Sequence, residues 1–293
     1  MSNQITRRQH QVPQFYLRLW ADGSNKVRLY DLKNKTVKHT GTKKILFREF
    51  YYEEDPANPD NRIENGVSFS LTHSAMLSKI ETECAPILKR LNKIIKNYPK
   101  YSQNSHLNKD LSSYLTIEHQ KIIKMFLAFQ YLRIPGAIDQ KEYELQGSSL
   151  QQPEIDYGLN PGRFVENGFN YFNNQFMALK MIINYSFDSL FLTSDWPCFD
   201  MKDSDFSPLL GEELGRSSEV IACCTLNPRL RVILYPKHFP SDPRLHAGPD
   251  IIIKDTPDSQ VKNHNTLIIQ QCMRYVVSNT NENYILKVKR KRN

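Results

Sequence analysis

The chain has 293 residues, of which 40% are hydrophobic and 24% are charged, a composition typical of a globular protein with a sizeable core. It contains no run of about 18 apolar residues, which a membrane span needs, and its polar start lacks the apolar segment of a signal peptide, so we expect a cytoplasmic protein without membrane contact. The formal net charge is +8, but five positive charges lie in the last seven residues, so the rest of the chain is close to neutral and gives little indication of nucleic-acid binding.

Strand-forming patterns dominate the first 60 residues. The stretch HQVPQFYLRLW, residues 10–20, combines a proline with large aromatic side chains, which predicts a segment docked on the protein body. Residues 26–32 and 36–52 are rich in β-branched and aromatic side chains and predict strands. The acidic, proline-containing residues 53–62 predict a surface loop.

A helical block follows. Apolar side chains recur every three or four positions in residues 67–98, which predicts an amphipathic helix, and Pro86 is expected to kink or split it. The polar residues 100–113 predict a loop. A second helix is predicted to begin after Thr116, which can cap it, and to end before Pro135.

The next segment, residues 140–161, is polar and glutamine-rich and is expected to be the least structured part of the body. A third helix is predicted from apolar residues at spacings of three and four, namely Phe169, Phe172, Phe176, Leu179 and Ile183. The pattern then predicts strands at residues 189–195, 219–226, 229–235 and 250–255, with a hairpin at Asn227–Pro228, and a last helix at about 259–277.

This order of elements indicates an α+β fold in one integrated domain, residues 1–293. We expect a β-rich N-terminal part at 1–60, a helical part at 66–184, and a C-terminal part at 185–288 with antiparallel strands and a final helix. A basic tail, residues 289–293, completes the chain.

The five cysteines are scattered and form no Cys-x-x-Cys pair, so their spacing predicts no metal site. We expect reduced thiols that serve as small apolar side chains. Cys223 and Cys224 are expected to point to opposite faces of one strand.

The second predicted helix carries polar side chains on its otherwise apolar face. Phe126, Gln130 and Arg133 are spaced by four and three, so they share one side of the helix. A buried arginine needs a partner, and Glu81 on the first helix is the carboxylate expected to pair with it. Two interpretations stay open: a structural brace between helices, or an anion clamp in which Arg133 binds a phosphate or carboxylate and Gln130 orients the ligand.

A second candidate set lies at the end of the predicted strand in FLTSDWPCF, residues 191–199. Ser194 and Asp195 are either ordinary turn-formers, whose oxygens accept backbone amides, or parts of a site. In the second case Asp195 is a metal ligand, a general base or the partner of His10. Side chains at the end of a buried strand are held rigidly, which suits such roles.

His10 is the third candidate, because histidine is the side chain best suited to transfer protons near neutral pH. A single histidine can equally be a hydrogen-bonded structural group. The sequence contains no HExxH, P-loop, GxSxG or GxGxxG motif that would name a reaction.

The motifs HQVPQFYLRLW, FREFYY, FLAFQYLRIP and FLTSDWPCF, taken in this order, resemble the bacterial and fungal family known as domain of unknown function 4238. The resemblance spans roughly residues 10–275. It implies one integrated domain and a recurrent polar set drawn from distant segments, and it adds Tyr16 to the substrate-binding candidates. The residues that match the motifs of the family are His10, Pro13, Tyr16, Leu17, Phe50, Tyr51, Gln130, Arg133, Pro135, Thr193, Ser194, Asp195 and Pro197.

The leading hypothesis is a hydrolase of a phosphodiester or nucleotide substrate. In it His10 is the general base or acid, Asp195 orients His10 or binds a divalent metal such as Mg²⁺ or Mn²⁺, Glu81 belongs to the catalytic set, and Arg133, Gln130, Ser194 and Tyr16 bind the substrate. The alternative is a non-catalytic component of a defence or toxin–antitoxin-like system that binds nucleic acid or protein, with the basic tail as the contact. A transferase with a nucleotide cofactor is a third possibility.

Overall fold

The strands that the structure describes form three sheets. The computed structural model of the chain describes residues 8–49, 69–98, 104–133, 169, 173–201, 221–235, 251–282 and 284–288. The strands are β1 (Arg8–His10), β2 (Lys26–Asp31), β3 (Thr36–Gly41), β4 (Phe47–Glu49), β5 (Lys180–Tyr185), β6 (Thr193–Ser194), β7 (Cys198–Met201), β8 (Ile221–Asn227), β9 (Leu230–Tyr235), β10 (Ile251–Asp255) and β11 (Tyr275–Ser278).

Most of the helices lie between the two groups of strands. They are α1 (Gln14–Leu17), α2 (Phe69–Asn97), α3 (Asn104–Tyr114), α4 (Ile117–Leu132) and α5 (Asp258–Gln271), with 3₁₀ turns at Arg18–Trp20, Thr42–Lys44 and Ile285–Lys287. Strands come first, helices follow, and strands return before the last long helix. The α+β class predicted from the sequence is therefore confirmed.

The two larger sheets join distant parts of the chain. One has the strand order β10-β5-β9-β8-β7 and the other the order β3-β2-β11-β6, while β1 pairs with β4. These pairings are antiparallel except that of β10 with β5, which is parallel. Because β11 pairs with both β2 and β6, the N-terminal hairpin shares a sheet with the C-terminal part.

The five-stranded sheet separates two apolar clusters. Cys224, Val232 and Leu234 belong to the cluster that includes side chains of α2 and α4. Cys223 and Ile233 belong to the cluster that includes side chains of α5. The five cysteines are free and buried, and the neighbouring Cys223 and Cys224 point to opposite faces, as predicted.

The predictions about the helical block have three different outcomes. Pro86 does not split the first helix, since α2 continues through it, and a kink at Pro86 stays a prediction. Residues 104–114 form α3 instead of a loop, since Leu107 and Leu111, four residues apart, give this polar segment a narrow buried stripe. Thr116 caps α4 as predicted, accepting a hydrogen bond from the backbone N–H of His119 at 3.3 Å.

The predicted third helix is wrong beyond residue 178. Residues 173–178 are helical, but β5 begins at Lys180 and contains Ile183, which the apolar spacing places in the helix. Every residue of β5 is buried, so the strand lacks the alternation of apolar and polar residues that marks a half-exposed strand. Its apolar residues therefore also fit a helical spacing.

The C-terminal bounds also differ from the prediction. The final helix α5 ends at Gln271, and the residues assigned to its last turns form β11 instead. The strand predicted at 189–195 is reduced to the two residues of β6. The predicted loop at 53–62, the segment 140–161 and the tail 289–293 lie outside the described residues, as do Phe50, Tyr51, Pro135 and Phe172. Of the helices described, none is long and apolar enough to span a membrane.

Candidate functional site

The aromatic N-terminal stretch is an anchor, as the sequence predicts. Tyr16, Leu17 and Trp20 have no exposed surface. The Trp20 indole N–H donates to the backbone oxygen of Phe191 at 3.2 Å. The rings of Phe15 and Tyr16 pack on Phe126 of α4, with centroids 5.5 Å and 6.0 Å away. These contacts fix residues 10–20 between α4 and the segment that leads into β6.

The hydroxyl of Tyr16 makes two hydrogen bonds, one as donor and one as acceptor. It donates to the backbone oxygen of Thr225 in β8, and the Thr193 hydroxyl of β6 lies 2.8 Å from it and donates to it. Burial raises the pKa of Tyr16 well above its ordinary value, so the phenol stays protonated. These bonds make Tyr16 a structural link between two sheets. A contact between Tyr16 and a substrate stays a prediction.

His264 of α5 extends this buried polar chain, and sequence analysis missed it. Its Nε2 lies 2.9 Å from Thr225 Oγ1 and its Nδ1 lies 3.7 Å from Cys223 Sγ. Burial, with the nearby positive charge of Arg231, lowers the pKa of His264 well below its ordinary value, so the ring is neutral.

Arg231 lies on the same face of the sheet and was also missed. Its Nε donates to Asn184 Oδ1 at 3.1 Å, and its guanidinium lies 5.6 Å from the centroid of the Phe191 ring. Burial lowers the pKa of Arg231 to about 10. An arginine in the apolar run LRVILY was the available sequence signal.

Arg133 connects three of the predicted site segments. It caps the C-terminal end of α4, its Nη1 lies 2.9 Å from Glu81 Oε1 on α2, and its Nη2 donates to the backbone oxygen of His10. The Arg133 side chain is 2% exposed and that of Glu81 is 28% exposed, so the pair runs from the interior toward solvent. The predicted ion pair with Glu81 is therefore present, and it also holds the strand that carries His10.

Three glutamine side chains near this pair have a buried amide nitrogen without a hydrogen-bond partner among the described residues, and we call these Nε2 groups the amide cluster: Gln11, Gln14 and Gln130. Gln130 is 1% exposed, and neither its amide nitrogen nor its oxygen has a partner among the described residues. The Nε2 atoms of Gln11 and Gln14 are also buried and have no partner among the residues that the structure describes. Buried polar groups are almost always hydrogen-bonded. The amide cluster is therefore a set of donors suited to a polar ligand.

His10 lies at the end of β1, opposite Phe47 of β4. The two rings are tilted, with centroids 5.8 Å apart. The following residue, Gln11, donates its backbone N–H to the oxygen of Leu46 at 2.9 Å. The structure thus brings His10, Glu81, Arg133 and the amide cluster to one region, where β1 and α1 meet the C-terminal half of α4.

Ser194 and Asp195 make contacts of a different kind. Ser194 Oγ accepts the N–H of Trp196 at 3.0 Å and donates to its oxygen at 2.9 Å, which is a local turn. Asp195 is 6% exposed. Its carboxylate accepts hydrogen bonds from three backbone N–H groups at 2.7–2.9 Å, those of Met273, Arg274 and Tyr275. These bonds hold Asp195 at the start of β11. Its catalytic role stays a prediction.

No group of three or more His, Cys, Asp or Glu side chains is arranged to hold a metal ion within the ranges that the structure describes. The divalent metal considered for Asp195 therefore has no ligand set among these residues.

We expect Asp195→Asn to lower the free energy of unfolding by about 2 kcal/mol, because an amide nitrogen cannot accept the backbone N–H groups that a carboxylate oxygen accepts. Urea unfolding of the two proteins measures this. Glu118→Gln, at an exposed position whose carboxylate pairs with the exposed Lys121, is the control and should change stability by less than about 1 kcal/mol. Equal effects of the two substitutions would contradict the structural role of Asp195.

The neutral His264 should make the protein less stable in mild acid. Above pH about 6.5 histidine is neutral in both states, whereas below it the unfolded chain takes up a proton that the buried ring does not. The free energy of unfolding should therefore fall as the pH falls below about 6.5, with a contribution from His264 of up to about 1.4 kcal/mol per pH unit. Urea unfolding between pH 5 and 8 should give a shallower slope for His264→Gln than for the wild type. His106→Gln, at an exposed position of α3, should leave the slope as it is.

Comparison with known proteins supports the family resemblance. No curated protein and no solved structure is significantly similar to the chain. A family model described as "Protein of unknown function (DUF4238)" matches residues 8–282, which include His10, the amide cluster, Arg133, Asp195 and His264. The chain belongs to this family of proteins of unknown function, DUF4238.

Proposed function

We propose that the protein is a hydrolase of phosphodiester or nucleotide substrates, with its site between residues 10–14 and the C-terminal half of α4. The observation that carries the proposal is the amide cluster. Donors buried without partners reduce stability by about 1–3 kcal/mol each, and a bound ligand would recover that free energy. Three of them beside an arginine and a histidine, drawn from separate segments, suit a binding site better than a core.

The donor chemistry of the cluster favours an anionic ligand. The Nε2 groups of Gln11, Gln14 and Gln130 are hydrogen-bond donors. Arg133 is spaced three residues after Gln130 and so shares its side of the α4 end. Because Glu81 pairs with its Nη1 and the His10 oxygen with its Nη2, Arg133 in this proposal positions the site, and the amides contact the phosphate oxygens.

His10 performs the proton transfer in the proposed reaction. The imidazole takes a proton from water while the water oxygen forms a bond to phosphorus and the bond to the leaving oxygen breaks. The imidazolium then gives that proton to the leaving oxygen, so His10 returns to its starting form. The bond from Arg133 to the His10 backbone oxygen fixes the strand end that carries the ring. Asp195 is left out of this step, since its oxygens bind the backbone of residues 273–275.

Removal of the proposed proton carrier should abolish turnover in a folded protein. We expect His10→Ala to lower kcat by about 10²- to 10⁴-fold, the usual contribution of general acid–base catalysis. Release of product from RNA, DNA and nucleotides, with Mg²⁺ or Mn²⁺ and without added metal, measures it. His106→Ala at an exposed position is the control and should retain full activity. No turnover by the wild type on any of these substrates, or full activity of His10→Ala, would overturn the proposal.

Gln130→Leu separates a ligand-binding amide from a structural one. It removes two buried polar atoms that have no partner among the described residues, so we expect the free energy of unfolding to rise by about 1–3 kcal/mol while activity falls. The control is Gln120→Leu on the same helix, where the amide donates to the Leu115 oxygen at 2.9 Å. That change should lower stability and leave activity intact. A loss of stability in Gln130→Leu would contradict the assignment.

A further inference from the structure

The segment from residue 26 to residue 44, which we call the basic hairpin, concentrates positive charge. It comprises β2, β3, the turn between them and the 3₁₀ turn that follows. It has seven Lys or Arg residues and one acidic residue, Asp31. Six of the cations are exposed and Arg28 is half-buried; the seven are Lys26, Arg28, Lys33, Lys35, Lys38, Lys43 and Lys44.

Asp31 and Asp22, the two described carboxylates within the hairpin or at its base, bind groups other than its cationic side chains. Asp31 is 7% exposed, pairs with Arg274, the residue before β11, at 2.6 Å and accepts the backbone N–H groups of Lys33 and Asn34. Asp22, at the base of the hairpin, accepts bonds from Ser24 and from the backbone of Lys26, and lies 2.7 Å from His39 Nε2. Both carboxylates are thus engaged by partners other than the seven cationic side chains.

The cations extend along the whole hairpin. Lys33 and Lys35 lie in the turn, Lys38 in β3, and Lys43 and Lys44 at the opposite end. Six residues of a strand span about 20 Å, the length of about six nucleotides along one strand of a duplex. Edge strands often carry lysine to prevent aggregation, but Lys38 is the one lysine within β3, so edge protection does not account for the other six cations.

The basic hairpin leads directly to the proposed site. Lys44 is three residues before Phe47, which lies opposite His10. Three residues span at most about 11 Å when fully extended, so the end of the hairpin lies close to the histidine. A polymer bound along the hairpin would reach His10 without a further structural element.

We propose that the basic hairpin binds the sugar–phosphate backbone of a nucleic acid strand and that the substrate of the His10 site is a polynucleotide. That the polynucleotide is a substrate rests on the proposed function, whereas its binding to the hairpin does not require turnover. An anionic membrane or an acidic protein fits less well, because Val37 is the one large hydrophobic side chain exposed in residues 26–44, and both kinds of contact normally require several apolar anchors.

The test compares two variants of the full chain that each lose four positive charges. The hairpin variant is Lys33→Gln, Lys38→Gln, Lys43→Gln and Lys44→Gln, which leaves out Lys35 because its φ of 52° is unusual for a side-chain-bearing residue. The control variant makes the same change at exposed positions of α2, namely Lys79, Lys89, Lys93 and Lys96. Thermal unfolding should show that both variants fold.

Fluorescence anisotropy of labelled 20-nucleotide RNA and DNA, titrated between 50 and 200 mM NaCl, measures binding. For single strands, loss of four phosphate contacts should reduce the slope of log Kd against log salt by about 3 and raise Kd at least about tenfold. The control variant should stay within about twofold of the wild type, because its lysines do not line the path.

Three results would overturn the inference: no binding of RNA or DNA by the wild type, equal losses in the two variants, or no loss in the hairpin variant. Hairpin-dependent binding to phosphatidylserine vesicles without nucleic-acid binding belongs to the first result and identifies a membrane surface. Failure of the proposed hydrolysis is distinct from these, since the wild type would then bind nucleic acid through the hairpin without cleaving it.

Discussion

The hydroxyl of Tyr16 joins three parts of the chain at one buried point. It belongs to α1, donates to β8 of the five-stranded sheet and accepts from Thr193 of the four-stranded sheet. Thr225 continues the connection to His264 of α5. A buried hydroxyl whose bonds are both made stabilises a unique arrangement, because any displacement leaves polar groups without partners. The position of residues 10–15, and hence of the proposed site, depends on this connection.

The interior of the protein contains more buried cations than its sequence composition would indicate. Lys124, Arg133, Lys180 and Arg231 are each less than a tenth exposed. Backbone oxygens share in their stabilisation: Lys124 donates to Leu179 and Arg133 donates to His10. Such bonds satisfy donors without cancelling positive charge, whereas a carboxylate does both, as Glu81 does for Arg133.

Sequence patterns were sufficient where one periodicity was long and uninterrupted, as in α2, α4 and the β8–β9 hairpin. They failed for α3, whose buried stripe has few members, and for β5 and β11, where burial on both sides or a very short strand leaves no distinctive spacing.

At the site, the Arg133–Glu81 pair followed from the rule that a buried charge needs a partner. The buried chain through Thr225 and His264 did not, because pairing between residues 39 positions apart is determined by packing. Net charge averaged over the body concealed the basic hairpin, since negative residues elsewhere balance it.

The strand order β3-β2-β11-β6 also constrains how the chain is made. The central pairing of this sheet joins residues 28–31 to residues 275–278, so the N-terminal hairpin cannot obtain its inner neighbour until nearly the whole chain has left the ribosome. During that interval Val27 and Leu29, which are buried in the folded protein, lack the side chains that pack on them. Folds dominated by such distant pairings form slowly and are open to aggregation while they wait. Positive charge favours hydration and repulsion between like chains, so the lysines for which we propose phosphate binding would also oppose aggregation of the unfinished hairpin.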